Sequence, residues 1–196
     1  IVACAPFFVA VIVGIFFKNE KPGVNFFVGF VIAIIGIAMI SMNGAKSLHL
    51  NPKGDMLAFT AMISWGFYSA IIKKIGEWNY PTAAVTRRIY FYGMLFLIPV
   101  LMWQGVSWDV TVFKKPEIIL NFLFLGVGAS ALGFFLWNLS TKWIGAIKTS
   151  VYIYVSPVVT VVLSVVILHE KMTVVSAAGA ILILLGLIVS QKKMKK

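Results

Sequence analysis

Seven stretches of this chain carry almost nothing but apolar residues, and short polar breaks separate them. They run over 1–17, 24–42, 55–75, 82–103, 117–140, 146–168 and 174–191. A helix rises 1.5 Å per residue, so roughly 20 apolar residues cross the ~30 Å hydrocarbon layer of a bilayer, and each stretch is predicted to be a membrane-spanning helix. The breaks hold turn and helix-start residues: Lys18 to Gly23, Asn43-Gly44, Asn51-Pro52, Asn79-Tyr80-Pro81 and Lys115-Pro116. The predicted fold class is all-α, a polytopic transmembrane helical bundle of about seven spans.

Composition agrees with that pattern. The chain is 61% hydrophobic and 12% charged, with a mean hydropathy of +0.99, against about a quarter charged in soluble domains. Too few polar residues remain to cover a water-facing surface, so the bilayer is the expected partner. The net charge of +11 does not point to nucleic acid, because the basic residues fall in the breaks rather than along one helix face. Threading the chain through a membrane puts 12 of the 17 basic residues on one side, Lys18, Lys21, Arg87, Arg88 and Lys148 among them. The positive-inside rule makes that side cytoplasmic, which predicts a multi-pass protein of the cell membrane with a cytoplasmic C-terminus. Cys4 is the single cysteine, so the sequence offers no intrachain disulfide, no metal-ligand spacing and no cofactor motif.

The first and last apolar hairpins repeat one another. PFFVAVIVGIFFKNEKPGVNFFVGFVIAIIGIAMIS from Pro6 parallels PVVTVVLSVVILHEKMTVVSAAGAILILLGLIVS from Pro157. Glu20-Lys21 matches Glu170-Lys171, Gly29 matches Gly179 and Gly36 matches Gly186 at an offset of 150, while Pro6 matches Pro157 at 151. The second hairpin begins five spans after the first, an odd number, so the copies cross the bilayer in opposite directions. Inverted repeats of this kind are a mark of secondary transporters, whose two halves surround a site near the midplane.

Three segments carry a family resemblance: GDMLAFTAMISWGFYSAIIKK, ASALGFFLWNLSTKWIGAIKTS and SPVVTVVLSVVILHEKMTVVSAAGAILILLGLIVS. Together they resemble the EamA-type permeases of the drug/metabolite transporter superfamily. The resemblance implies ten helices in two five-helix repeats with both termini cytoplasmic. On that layout residues 1–45 are the last two helices of the first repeat, 46–54 an external loop, 55–191 the complete second repeat and 192–196 a basic cytoplasmic tail. The chain opens on Ile1 inside an apolar run without an initiator Met, so the first three helices are expected to be absent. The resemblance also assigns the closing helices a scaffolding role, which makes them the place for a homodimer contact.

Candidate site residues lie on three spans. Thr149, Tyr152, Ser156, Thr160 and Ser164 form one stripe at helical spacing, and Pro157 beside Ser156 removes a backbone donor near mid-membrane. Thr60, Ser64 and Tyr68 recur every four residues with Trp65 alongside, away from the interfacial belts where Trp is common. Asn138 follows Trp137 near the cytoplasmic end of its span. Each reads either as the wall of a solute cavity, for Ser64, Trp65, Tyr68, Asn138, Tyr152, Ser156 and Pro157, or as interhelical packing and hydrogen bonding. Gly29, Ala33, Gly36, Gly179 and Gly186 read as packing seams. No span carries a carboxylate or histidine near its centre, which speaks against a proton relay and against an intramembrane enzyme. A seven-helix receptor is suggested only by the helix count, and the last span lacks the lysine that a retinal Schiff base would use. The expected function is therefore a carrier of a small organic metabolite, amino acid or drug-like compound. The alternative is a receptor or a non-transporting scaffold.

Overall fold

The computed structural model describes residues 2–42, 51–105, 113–170 and 172–192. The external loop expected at 46–54 falls mostly outside these residues, as do Trp108, Asp109, Lys171 and the tail beyond Lys192. Helices dominate: α1 (Ala5–Phe16), α2 (Val24–Met42), α3 (Pro52–Glu77), α4 (Thr82–Gln104), α5 (Pro116–Leu123), α6 (Gly133–Ile144), α7 (Ala146–Val151), α8 (Val155–Leu168) and α9 (Val174–Gln191). A π-helical stretch, Phe124–Leu132, joins α5 to α6, and 3₁₀ turns at Val2–Cys4 and Tyr152–Tyr154 precede α1 and α8. Among the described residues, six continuous helices are long and apolar enough to cross a membrane, including Pro116–Ile144 and Ala146–Leu168, while Val2–Phe16 is shorter. The chain is an all-α, multi-pass membrane protein.

Local chemistry sets the helix ends. Pro116 starts α5, where a missing N–H costs nothing. Thr173 caps α9 by accepting from the Ser176 N–H at 3.1 Å. Gly105 closes α4 in the left-handed conformation, at φ 62°. Apolar side chains cover the outside, with Phe96 78% and Leu168 67% exposed, as a lipid-facing surface requires.

The described residues form two compact units. The first comprises Ile1–Ile72 and Ile144–Lys196. Its core gathers Val9, Val13, Phe26, Ala33, Val151, Tyr154 and Ile183. Its tightest contact joins α2 to α9, where glycines let the backbones meet. A Cβ on Gly36 would stand 2.6 Å from the Gly179 carbonyl oxygen, and one on Gly186 would stand 2.6 Å from that of Gly29. The pairing is reciprocal, because the shift of 150 that turns Gly29 into Gly179 and Gly36 into Gly186 turns one contact into the other. The two helices are antiparallel, and Asn25 at the start of α2 donates to the Lys192 carbonyl just past the end of α9, at 2.9 Å. Helix α3 crosses α1 at Gly66, whose missing side chain admits Ile12 and the Phe8 backbone.

The second unit is Lys73–Trp143. Residues 91–100 of α4 are exposed throughout, and no residue of α5 is buried. Asn138 on α6 is buried and donates to the Thr86 hydroxyl of α4 at 3.0 Å, and Thr86 donates in turn to the Thr82 carbonyl, also at 3.0 Å. Lys142 Nζ reaches Asn79 Oδ1 at 3.0 Å and so ties α6 to the α3–α4 turn, where Asn79 takes φ 57°.

A candidate solute site between two proline-bent turns

Proline sets the shape of the span 146–168. Pro157 has no N–H to offer the carbonyl of Ile153, and ahead of it the helix tightens into the 3₁₀ turn Tyr152–Tyr154 before α8 resumes. A matching order stands at the beginning of α1, where the 3₁₀ turn Val2–Cys4 leads into a helix with Pro6 in its first turn, a place where the missing N–H interrupts no helical bond. The turns lie 150 residues apart, the offset of the repeat.

Both turns face one cavity. It measures about 320 Å³ and is lined by Val2 and Ala3 of the first turn, Ile153 and Tyr154 of the second, Ser156, Pro157, Thr160 and Val161 of α8, and Ile37 and Ile40 of α2. Its polar features are few. Thr160 donates to the Ser156 carbonyl at 3.0 Å, while the exposed Ser156 hydroxyl is available to a bound solute. Tyr154 is fully buried in the cavity lining, and its hydroxyl makes no hydrogen bond.

The sequence-derived candidates are distributed unevenly around this cavity. Ser156 and Pro157 line it. Tyr152, 49% exposed, lies on the same turn but does not line it. Trp65 and Tyr68 stack on α3 with ring centroids 5.2 Å apart, and Trp65 also packs on the core of the first unit. Ser64 is exposed and donates back to the Thr60 carbonyl at 2.9 Å. None of these three α3 residues lines the cavity. Asn138 belongs to the second unit, in the buried bond to Thr86 described above.

Two features escaped the reading of the sequence. The turn Val2–Cys4 was legible only by carrying Tyr152–Tyr154 back through the repeat offset. Glu20 was placed in a loop, yet its Oε1 accepts the Ile147 N–H at 2.9 Å and caps the start of α7. Gly145, at φ 90°, makes room for it, since a Cβ there would lie 2.6 Å from the same oxygen. Thr149 completes the helix start by donating its hydroxyl to the Gly145 carbonyl at 2.7 Å.

Known proteins place this arrangement. Among its relatives is the uncharacterized transporter YyaM of Bacillus subtilis, 27% identical over 187 residues, which cover 93% of this chain and 60% of the relative. The uncharacterized transporter YetK of the same organism is 26% identical, over 94% of this chain and 56% of its own length. A probable amino-acid metabolite efflux pump of Salmonella typhimurium is 26% identical, over 93% of this chain and 63% of the pump. The chain thus spans about 60% of the length of such relatives. No solved structure matches it. The EamA-like transporter family matches residues 52–191, more than half of the chain, and the protein therefore belongs to that family.

Proposed function

We propose that the protein is a secondary carrier that moves a small organic solute across the cell membrane by alternating access. One observation carries this reading: two 3₁₀ turns, each followed by a proline and standing at equivalent positions of an internal repeat, line one cavity. Bent helices of opposed repeats around a midplane site are what a rocking carrier uses to expose one site to two sides in turn. The reciprocal glycine seam supports the repeat, because a contact that maps onto itself is what two oppositely oriented copies make. The excess of basic residues at the Lys18, Arg87 and Lys148 ends supports a cytoplasmic C-terminus. The Salmonella relative's name makes outward movement of an amino-acid metabolite the first cargo class to try.

The test is counterflow in proteoliposomes screened over amino-acid metabolites and drug-like compounds. Saturable exchange is expected, and Ser156→Ala, at a residue that lines the cavity, is expected to change the half-saturation concentration about threefold or more without loss of folded protein. Flux no greater than in protein-free liposomes across the whole screen would refute the carrier reading.

A further inference from the structure

Resting on that reading, we infer that the cavity between the two 3₁₀ turns takes an uncharged, largely apolar solute whose few hydrogen-bonding groups are met by hydroxyls. Seven of its ten lining residues are apolar, and the other three, Tyr154, Ser156 and Thr160, carry neutral hydroxyls. No lining residue is a carboxylate, a histidine or a basic residue. Along the helix that supplies most of the wall, the nearest charged residue before Pro157 is Lys148, and none follows until the far end near Glu170. A charged group in such a place would give up its hydration with nothing of opposite sign to replace it. An uncharged solute loses far less, and its apolar body gains from Ile37, Ile40, Ile153 and Val161.

The hydrogen-bonding chemistry is equally narrow. Thr160 has spent its proton on the Ser156 carbonyl. Ser156 can donate one bond or accept one. One N–H or O–H on the solute would find an acceptor here. Any further strongly polar group would need a partner of its own, and the Tyr154 hydroxyl, which makes no hydrogen bond, is what the lining has left to offer. A volume of about 320 Å³, at ~30 Å³ for each water-sized unit, holds about ten such units, the size of a bicyclic ring.

Four compounds with one ring system and different charges test this: indole, tryptamine, indole-3-acetate and tryptophan. Calorimetric titration of the purified protein in lipid nanodiscs is the readout, because indole crosses bilayers unaided and flux would not report it. Saturable indole binding is expected, with the other three at least tenfold weaker. Ser156→Ala should weaken indole about fivefold, and Val161→Trp, which fills the cavity, should abolish its binding. Thr160→Asp should invert the order in favour of tryptamine by supplying the missing counter-charge. Tryptophan or indole-3-acetate binding as tightly as indole, absence of saturable indole binding, or indole affinity unchanged in both Ser156→Ala and Val161→Trp would overturn the inference. Counterflow of a charged solute that is insensitive to Val161→Trp would overturn it and leave the carrier reading standing. Absence of all flux beside intact, Val161-dependent indole binding would do the reverse.

Discussion

The α1–α2 hairpin and the hairpin that joins α8 to α9 are built from one pattern, yet only part of it produces the same structure twice. In the glycine seam the copies are interchangeable: Gly29 meets Gly186, and Gly179 meets Gly36. At the acidic turn they are not. Glu20 bonds the Ile147 N–H and lies over Gly145, whereas Glu170 is exposed and follows His169, which takes the left-handed φ of 54°. A seam is self-complementary, so each copy supplies the other's partner. A capping carboxylate needs a helix start, and among the described residues Gly145 and Ile147 supply one to Glu20 alone.

The seam is where the comparison can be broken most forcefully. Gly36→Val and Gly179→Val each drive a side chain into a facing backbone, which cannot move aside as a flexible side chain would. Each should cost about 3 kcal/mol, at the upper end of overpacking penalties. Because the contact is reciprocal, the losses should match within error, as should those of Gly29→Val and Gly186→Val. Gly93→Ala, with nothing within 4 Å of the added atom, should be neutral or slightly stabilising. Melting temperature and monodispersity in detergent measure this. Sharply unequal losses within a pair would show that the repeat does not govern the packing.

Much of this was legible in the sequence, for physical reasons that differ by feature. The spans were readable because a bilayer demands long apolar runs, and the observed helices fall within a few residues of the expected ranges. The seam was readable because close backbone approach demands glycine. The 3₁₀ turn Tyr152–Tyr154 was half-readable: Pro157 announces a lost donor, but how the helix absorbs the loss depends on its surroundings. The π-helical stretch Phe124–Leu132 was not readable, since Gly126 and Gly128 suit a widened turn and a tight helix contact equally well. Nor was the bond from Glu20 to Ile147, which joins residues 127 apart and leaves no periodic trace. Asn138 could serve either a cavity or a strut, and only tertiary contacts distinguish the two.

At the acidic turn the expected effects are smaller and deliberately unequal. Glu20→Ala removes the acceptor from the start of α7 and should cost about 1–2 kcal/mol, as for other lost caps. Glu20→Gln keeps an oxygen in place and should recover most of that loss. Gly145→Ala should be at least as harmful as Glu20→Ala, since it strains a φ of 90° and pushes the carboxylate out of its seat. Glu170→Ala should leave stability unchanged. Equal losses at Glu20 and Glu170 would mean that the motif itself, and not its neighbours, sets the role.

The second unit sharpens the comparison from outside the two matching hairpins. No glycine of α4 is packed there: Gly93 has open space, and residues 91–100 lie exposed. Helix α4 meets α6 through the bond from Asn138 to a Thr86 hydroxyl that is itself bonded to Thr82, and through the Tyr90 ring set edgewise against Phe134 at 5.7 Å. Interhelical hydrogen bonds in membranes are worth about 0.6 kcal/mol on average, well below a blocked seam. A double-mutant cycle with Asn138→Ala and Thr86→Val should give a coupling energy near that value. Thr86→Val alone should cost little more than the cycle's coupling, because valine fills the same space. The buried Asn138 amide would then lack the Thr86 acceptor, and the loss in Thr86→Val should fall when Asn138 is also removed. A coupling of zero would reduce the pair to a contact without energetic weight, and leave shape alone, as in the glycine seam, to hold these helices together.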